Sequence, residues 1–116
     1  MPTLVTSTTH FKAFADPTRL RLLNLIGAGE ICVCHLVDIL GEPQPKVSRH
    51  LAILRRAGLV TSRVEGPWRH YALPARPTGL AGTLLGCVRS CLREVDELQG
   101  DLRSLKALRA RGTCSG

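Results

Sequence analysis

Cys32 and Cys34 are the residues of this chain whose types and spacing point most directly to chemistry. Thiolates are soft donors, and a site built from sulfur selects soft ions such as As(III), Sb(III) or Cd(II) over Mg, Ca or Mn. The pair opens a run from Cys32 to Leu40 in which Val33, Leu36, Val37 and Leu40 recur at helical spacing, and Gly41-Glu42-Pro43 ends it. Both thiols are therefore expected in the first turn of a helix, where unpaired N–H groups and the helix dipole favour thiolate over thiol. On a regular helix positions i and i+2 point about 200° apart, so one ion holds both sulfurs only if the turn distorts. A free Cys is also a small buried hydrophobe, a role that two residues facing opposite ways fill poorly. His35, next to them, reads as an exposed helix residue rather than a ligand.

Cys87 and Cys91, four residues apart, share one face of a regular helix without distortion. Cys91 falls beside Leu84, Val88 and Val95 on an apolar stripe, so packing competes with ligation there. Cys114 lies in a Gly, Thr and Ser tail and could complete a sulfur site or do nothing. An odd number of cysteines, five, in a chain whose first residues, Met1 to Lys12, are polar and threonine-rich does not resemble a secreted disulfide framework. Reduced thiols are expected, as is a cytoplasmic protein. No apolar run approaches the roughly 18 residues a bilayer crossing needs, so no membrane partner is expected.

The elements that must position the thiols can be traced outward. Asp16-Pro17 is an N-cap followed by a helix-opening proline, and a helix from about Pro17 to Ile26 follows, carrying Leu20, Leu23 and Ile26 on one face with Leu22 and Leu25 beside them. Thr9 to Ala15 is expected to form a shorter helix before it. After the cysteine helix, another begins near Gln44 or Pro45, buries Val47, Leu51 and Leu54 with Ala52 and Ile53 alongside, and stops at Ala57-Gly58. Two strand-like runs, Leu59 to Val64 and Arg69 to Leu73, flank a reversal at Glu65-Gly66-Pro67-Trp68. Helix, tight turn, helix and hairpin make a winged helix-turn-helix: a mainly α fold with a small β-hairpin, in one domain of 116 residues. Its parts are placed at about residues 32–57 for the helix-turn-helix, 59–73 for the wing and 78–110 for a dimerisation helix or helices. In that last stretch Leu80, Leu84, Val88, Leu92, Val95, Leu98, Leu102 and Leu105 form a stripe longer than so small a domain is expected to bury. A twin helix in a homodimer is implied, with an intramolecular helix as the alternative and Gly100 as the place of a bend or split.

The net charge of +7 is unevenly distributed. Residues 1–43 carry three Lys or Arg against four acids, residues 44–73 carry six against one, and residues 74–116 carry seven against four. A basic block inside a folded domain is the footprint of a surface that meets phosphates. Gln44, Lys46, Ser48, Arg49 and His50 stand near the start of the second helix of the pair, where recognition helices meet base edges and phosphates. Arg63 and Arg69, on opposite sides of the hairpin turn, suit phosphate or minor-groove contacts, while Arg55 and Arg56 suit backbone or protein contacts. Any one of these taken alone reads as a solvated surface residue. Aromatic residues make up 3% of the chain, too few for base-stacking platforms, so double-stranded DNA is favoured over single strands or RNA.

The motifs together resemble a known family. Phe14-Ala15-Asp16-Pro17-Thr18-Arg19-Leu20-Arg21-Leu22-Leu23 looks like the opening signature of the ArsR/SmtB metal-responsive repressors. Glu30-Ile31-Cys32-Val33-Cys34-His35-Leu36 resembles that family's arsenic-sensing box. Ser48-Arg49-His50-Leu51 and Ala57-Gly58-Leu59-Val60 resemble its recognition helix and the exit into the wing, and Glu65-Gly66 with His70-Tyr71 fits the wing. The resemblance implies a homodimer that represses a metalloid-resistance operon, carries no permanently bound cofactor, and leaves operator DNA when the inducer, As(III) or Sb(III), binds Cys32 and Cys34. The chain departs from that pattern in having Val37 where arsenical sensors often have a third cysteine, and His35 where Asp is usual. It also lacks the N-terminal cysteines of the cadmium and lead sensors, and no His follows His70 to match the zinc sensors. A redox-sensing or Cd/Pb-responsive repressor of the same fold is the alternative, and a winged-helix module that binds a protein is another. A thiol enzyme is disfavoured, because neither a phosphate-cradling loop nor a thioredoxin-like unit surrounds the pair.

Overall fold

The computed structural model describes residues 3–112. Helix α1 (Leu4–Phe14) begins five residues before the expected Thr9. Thr3 caps it by accepting from the Thr6 N–H at 3.0 Å, and the Thr8 and Thr9 hydroxyls donate to the Leu4 and Val5 carbonyls. A polar stretch that satisfies its hydroxyls within its own backbone can enter a helix that hydrophobic spacing alone does not reveal. Helix α2 (Pro17–Gly27) starts as read, with the Asp16 carboxylate accepting from the Arg19 N–H at 3.0 Å.

A strand that periodicity did not reveal, β1 (Ile31–Cys32), precedes α3 (Val33–Leu40). Gly41, at φ 67°, ends α3 and turns the chain into α4 (Gln44–Arg56). At the far end of α4 the Gly58 N–H donates to the Arg55 carbonyl and the Leu59 N–H to that of Leu54, both at 3.0 Å, closing the helix in a Schellman motif. Strands β2 (Thr61–Glu65) and β3 (Trp68–Ala72) then form the hairpin, Glu65 pairing with Trp68 around Gly66-Pro67. Gly66 supplies the positive φ of 60° that a type II′ loop needs at its first position, and proline at the second rules out type I′. β1 adds antiparallel to the other edge of β3, giving the sheet order β1-β3-β2.

The C-terminal stripe is divided into α5 (Gly79–Ser90) and α6 (Asp96–Arg111), so the break falls at residues 91–95 and not at Gly100, which lies inside α6. The break lets α6 fold back on α2. Arg21 grips the buried Asp101 through two hydrogen bonds of 2.8 and 2.9 Å, and Asn24 Nδ2 donates to the Leu98 carbonyl at 3.0 Å. Leu85, Val88, Leu98 and Leu105 are thereby buried within one chain, the intramolecular alternative to a twin helix for these positions. The centre of the core is Leu22, Leu23, Leu25 and Ile26 of α2 with Leu36, Val47, Leu51, Leu54 and Leu59. Ala52, expected on the buried side of α4, is exposed. Among the large apolar side chains left in solvent are Leu4, Val5 and Phe11, all on α1.

Candidate cysteine site and nucleic-acid interface

Cys32 is not in the first turn of α3. It is the N-cap, with extended backbone (φ −72°, ψ 143°), and is also the last residue of β1, opposite His70. From that position its side chain swings over the helix start instead of pointing away from Cys34. Cys32 Sγ accepts the Cys34 N–H at 3.4 Å, and the two sulfurs lie 3.1 Å apart. The opposed geometry of a regular i, i+2 pair therefore does not arise, and no unwinding is needed to bring the sulfurs together. The reason is competition for the Cys32 backbone, which β3 claims as a strand before α3 can claim it as a helix. Ile31-Cys32-Val33, an apolar run following Gly29, was the available sequence signal.

Glu30 ties this segment to two other elements. Its carboxylate accepts from Arg63 Nη2 at 2.6 Å and from Nε at 2.9 Å, while its carbonyl accepts from Arg109 Nη2 of α6 at 3.3 Å. Arg63 Nη1 also donates to Glu65 at 2.7 Å. Hydrogen bonds from Arg63 hold both carboxyls below the usual carboxylate range. A cleft of about 650 Å³ opens beside Cys32, lined by Glu30, His35, Trp68, His70 and Arg109 among others. Among the described residues no group of three or more His, Cys, Asp or Glu converges as metal ligands, and Cys114 lies outside those residues. Cys91, expected along the apolar stripe, is exposed at the end of α5, and Cys87 is half-buried; Leu85 and Val88 take the buried face.

On α4, inward-facing Val47, Leu51 and Leu54 leave Gln44, Ser48 and Arg49 exposed and, among the described residues, without side-chain partners. Lys46 reaches back to Glu42 at 3.2 Å. His50 lies apart from this group because it turns into the protein. Its Nδ1 is 3.1 Å from Arg19 Nη1 and 3.8 Å from the Asp16 carboxylate, and Arg19 also donates to the Ala13 and Lys12 carbonyls. Burial pushes the imidazole below its ordinary pKa. Since Arg19 can only donate, Nδ1 accepts, which requires a neutral ring. In the wing, Arg69 is exposed, and Ser62 Oγ accepts from both Arg69 and Arg55 at 3.3 Å, linking the hairpin to the end of α4. Sequence reasoning missed Glu30, Arg19 and Arg109, whose partners are distant in the chain.

The sequence model of the family described as "Bacterial regulatory protein, arsR family" matches residues 16–62, which run from the α2 cap into β2. The arsenical resistance operon repressor of Escherichia coli (strain K12) is 41% identical over 107 residues, covering 91% of this chain and 86% of that protein. The chain belongs to the ArsR family. The arsenic resistance transcriptional regulator ArsR1 of Pseudomonas putida is 44% identical over 90 residues, covering 76% of this chain and 70% of that one. Among solved structures, HlyU from Vibrio cholerae N16961 superposes with a TM-score of 0.67 at 28% identity, covering 79% of this chain and 94% of that one. As an ArsR-family member with a winged helix-turn-helix, the protein is a transcriptional regulator and not an enzyme. No helix among the described residues is long and apolar enough to cross a membrane.

Proposed function

We propose that the protein is a homodimeric repressor of a metalloid-resistance operon that binds double-stranded operator DNA and leaves it when As(III) or Sb(III) binds Cys32 and Cys34. One observation carries this reading. Two sulfurs lie 3.1 Å apart at the junction where a strand of the wing sheet becomes the first helix of the helix-turn-helix. In the DNA-bound state Gln44, Lys46, Ser48 and Arg49 face the major groove, with Arg69 on the adjoining backbone. His50 holds the recognition helix against α2 through Arg19. Arg63, matched by two carboxylates, braces the wing against Glu30 more than it attracts phosphate.

In the reduced protein, coordination replaces the two thiol protons, arsenite giving up two of its hydroxyls as water, and takes the Cys32 sulfur away from the Cys34 N–H that it caps. That change acts on α3 and, through the Cys32–His70 pairing, on β3 at the same time. Any resulting preference for the released state equals the difference in ion affinity between the two states. The names of the E. coli and P. putida relatives support metalloid resistance as the context.

The test is fluorescence anisotropy of a labelled operator duplex titrated with arsenite under reducing conditions. Wild type should dissociate, whereas Cys32→Ser and Cys34→Ser should stay bound at concentrations at least tenfold higher. Release of both variants at the wild-type arsenite concentration would refute the reading. The same approach of the sulfurs favours thiol oxidation as a second reading, which requires release by peroxide but not by arsenite.

A further inference from the structure

Cys87 and Cys91 stand apart from the site proposed above. The Cys91 N–H donates to the Cys87 carbonyl at 2.8 Å, so helical register continues through Cys91 and places both side chains on one face, one turn apart. Both thiols are free; Cys91 is exposed and Cys87 half-buried. The packing of the same turn is made by other side chains, Leu85 and Val88, which enter the core. Ligation at the thiols therefore leaves the core closed.

We propose that Cys87 and Cys91 form a second soft-ion site, a dithiol chelate at the end of α5 for trivalent arsenicals that offer two thiol-exchangeable positions. Two sulfur donors on one helix face suit an electron-poor soft centre that binds both. A disulfide fits the turn less well. Cβ atoms at i and i+4 are about 5–6 Å apart on a helix, whereas a disulfide needs about 3.5–4.5 Å. An atom seated between the sulfurs spans the gap without unwinding α5. With an organic arsenoxide the step is balanced: the arsenic–oxygen bond breaks, the oxygen takes the two thiol protons and leaves as water, and two arsenic–sulfur bonds form with arsenic still trivalent.

Phenylarsine oxide is the probe, measured as arsenic equivalents retained by the full chain in excess glutathione, a monothiol that strips singly bound arsenic. Cys32→Ser/Cys34→Ser/Cys114→Ser leaves only Cys87 and Cys91; it should retain one equivalent, release it to dithiothreitol, and lose it when Cys87→Ser is added. In parallel, Cys87→Ser/Cys91→Ser in the otherwise unchanged chain should retain one equivalent fewer than wild type. No retention by the folded triple-serine variant overturns the proposal. If circular dichroism shows that variant unfolded, the second arm decides, and undiminished retention overturns the proposal. Neither arm uses operator DNA, so the outcome is independent of whether Cys32 and Cys34 govern release.

Discussion

At His50 the protein needs a hydrogen-bond acceptor where a cation would face Arg19. Burial lowers the folded-state pKa below the ordinary value of 6.5, outweighing the opposing pull of Asp16. The unfolded chain therefore takes up this proton first as the pH falls. Stability is whole above about pH 6.5 and is lost as the pH falls through the folded-state pKa. Melting temperature should drop between pH 7 and pH 5, and His50→Asn, which keeps an acceptor but does not titrate, should show a smaller drop; an equal drop would remove His50 as the cause. The wing arginines should also separate. Arg69→Ala should lower the salt dependence of operator binding by about one charge per protomer, whereas Arg63→Ala, which removes a cation already matched by Glu30 and Glu65, should lower it less. Equal slopes would contradict that distinction. The thiol pair and the exposed α4 residues were legible in the sequence because they depend on local spacing. Arg63 with Glu30 was not, since 33 residues separate them and only the β1-β3-β2 sheet brings them together.

The elements divide along the same line. Helices α2, α3 and α4 were legible because caps and stops are written beside them: Asp16-Pro17, Gly41 and Gly58. β1 was hidden because a two-residue strand has no periodicity to read, yet it decides the geometry of Cys32. The division between α5 and α6 was placed wrongly because Gly100 is the conspicuous helix breaker there. A glycine costs a helix only about 1 kcal/mol, a penalty that the Arg21–Asp101 grip and the burial of Leu98 and Leu105 can exceed. Asp101→Ala should accordingly destabilise the fold by about 2–3 kcal/mol, discounted because Arg21 remains a quarter exposed and can rehydrate. Urea unfolding measures this directly, and a loss under 0.5 kcal/mol would mean that the pair behaves as a surface ion pair and does not hold α6.

For the whole molecule, Val88, Leu98 and Leu105 of the C-terminal stripe are buried within one chain while Leu80, Leu84, Leu92 and Leu102 stay half-buried and Val95 exposed, and α1 adds a second apolar surface to the argument for a homodimer. Leu4 is 82% exposed, Val5 75% and Phe11 54%, an apolar group that a lone domain leaves in water. Phe11→Asp should shift the protein toward monomer in sedimentation velocity and weaken operator binding at least tenfold; an intact dimer would place the interface elsewhere. Basic charge, the recognition helix and the wing then act as one surface in each protomer, with the cysteine segment joined to both. That coupling is reciprocal, because two ligands linked through one protein alter each other's affinity by the same factor. The decisive measurement is the arsenite dissociation constant of the reduced protein, free and saturated with operator duplex. Arsenite should bind the DNA complex more weakly, by the factor through which arsenite weakens operator binding, and Cys32→Ser should abolish the difference. Equal arsenite affinity with and without DNA would contradict release through Cys32 and Cys34.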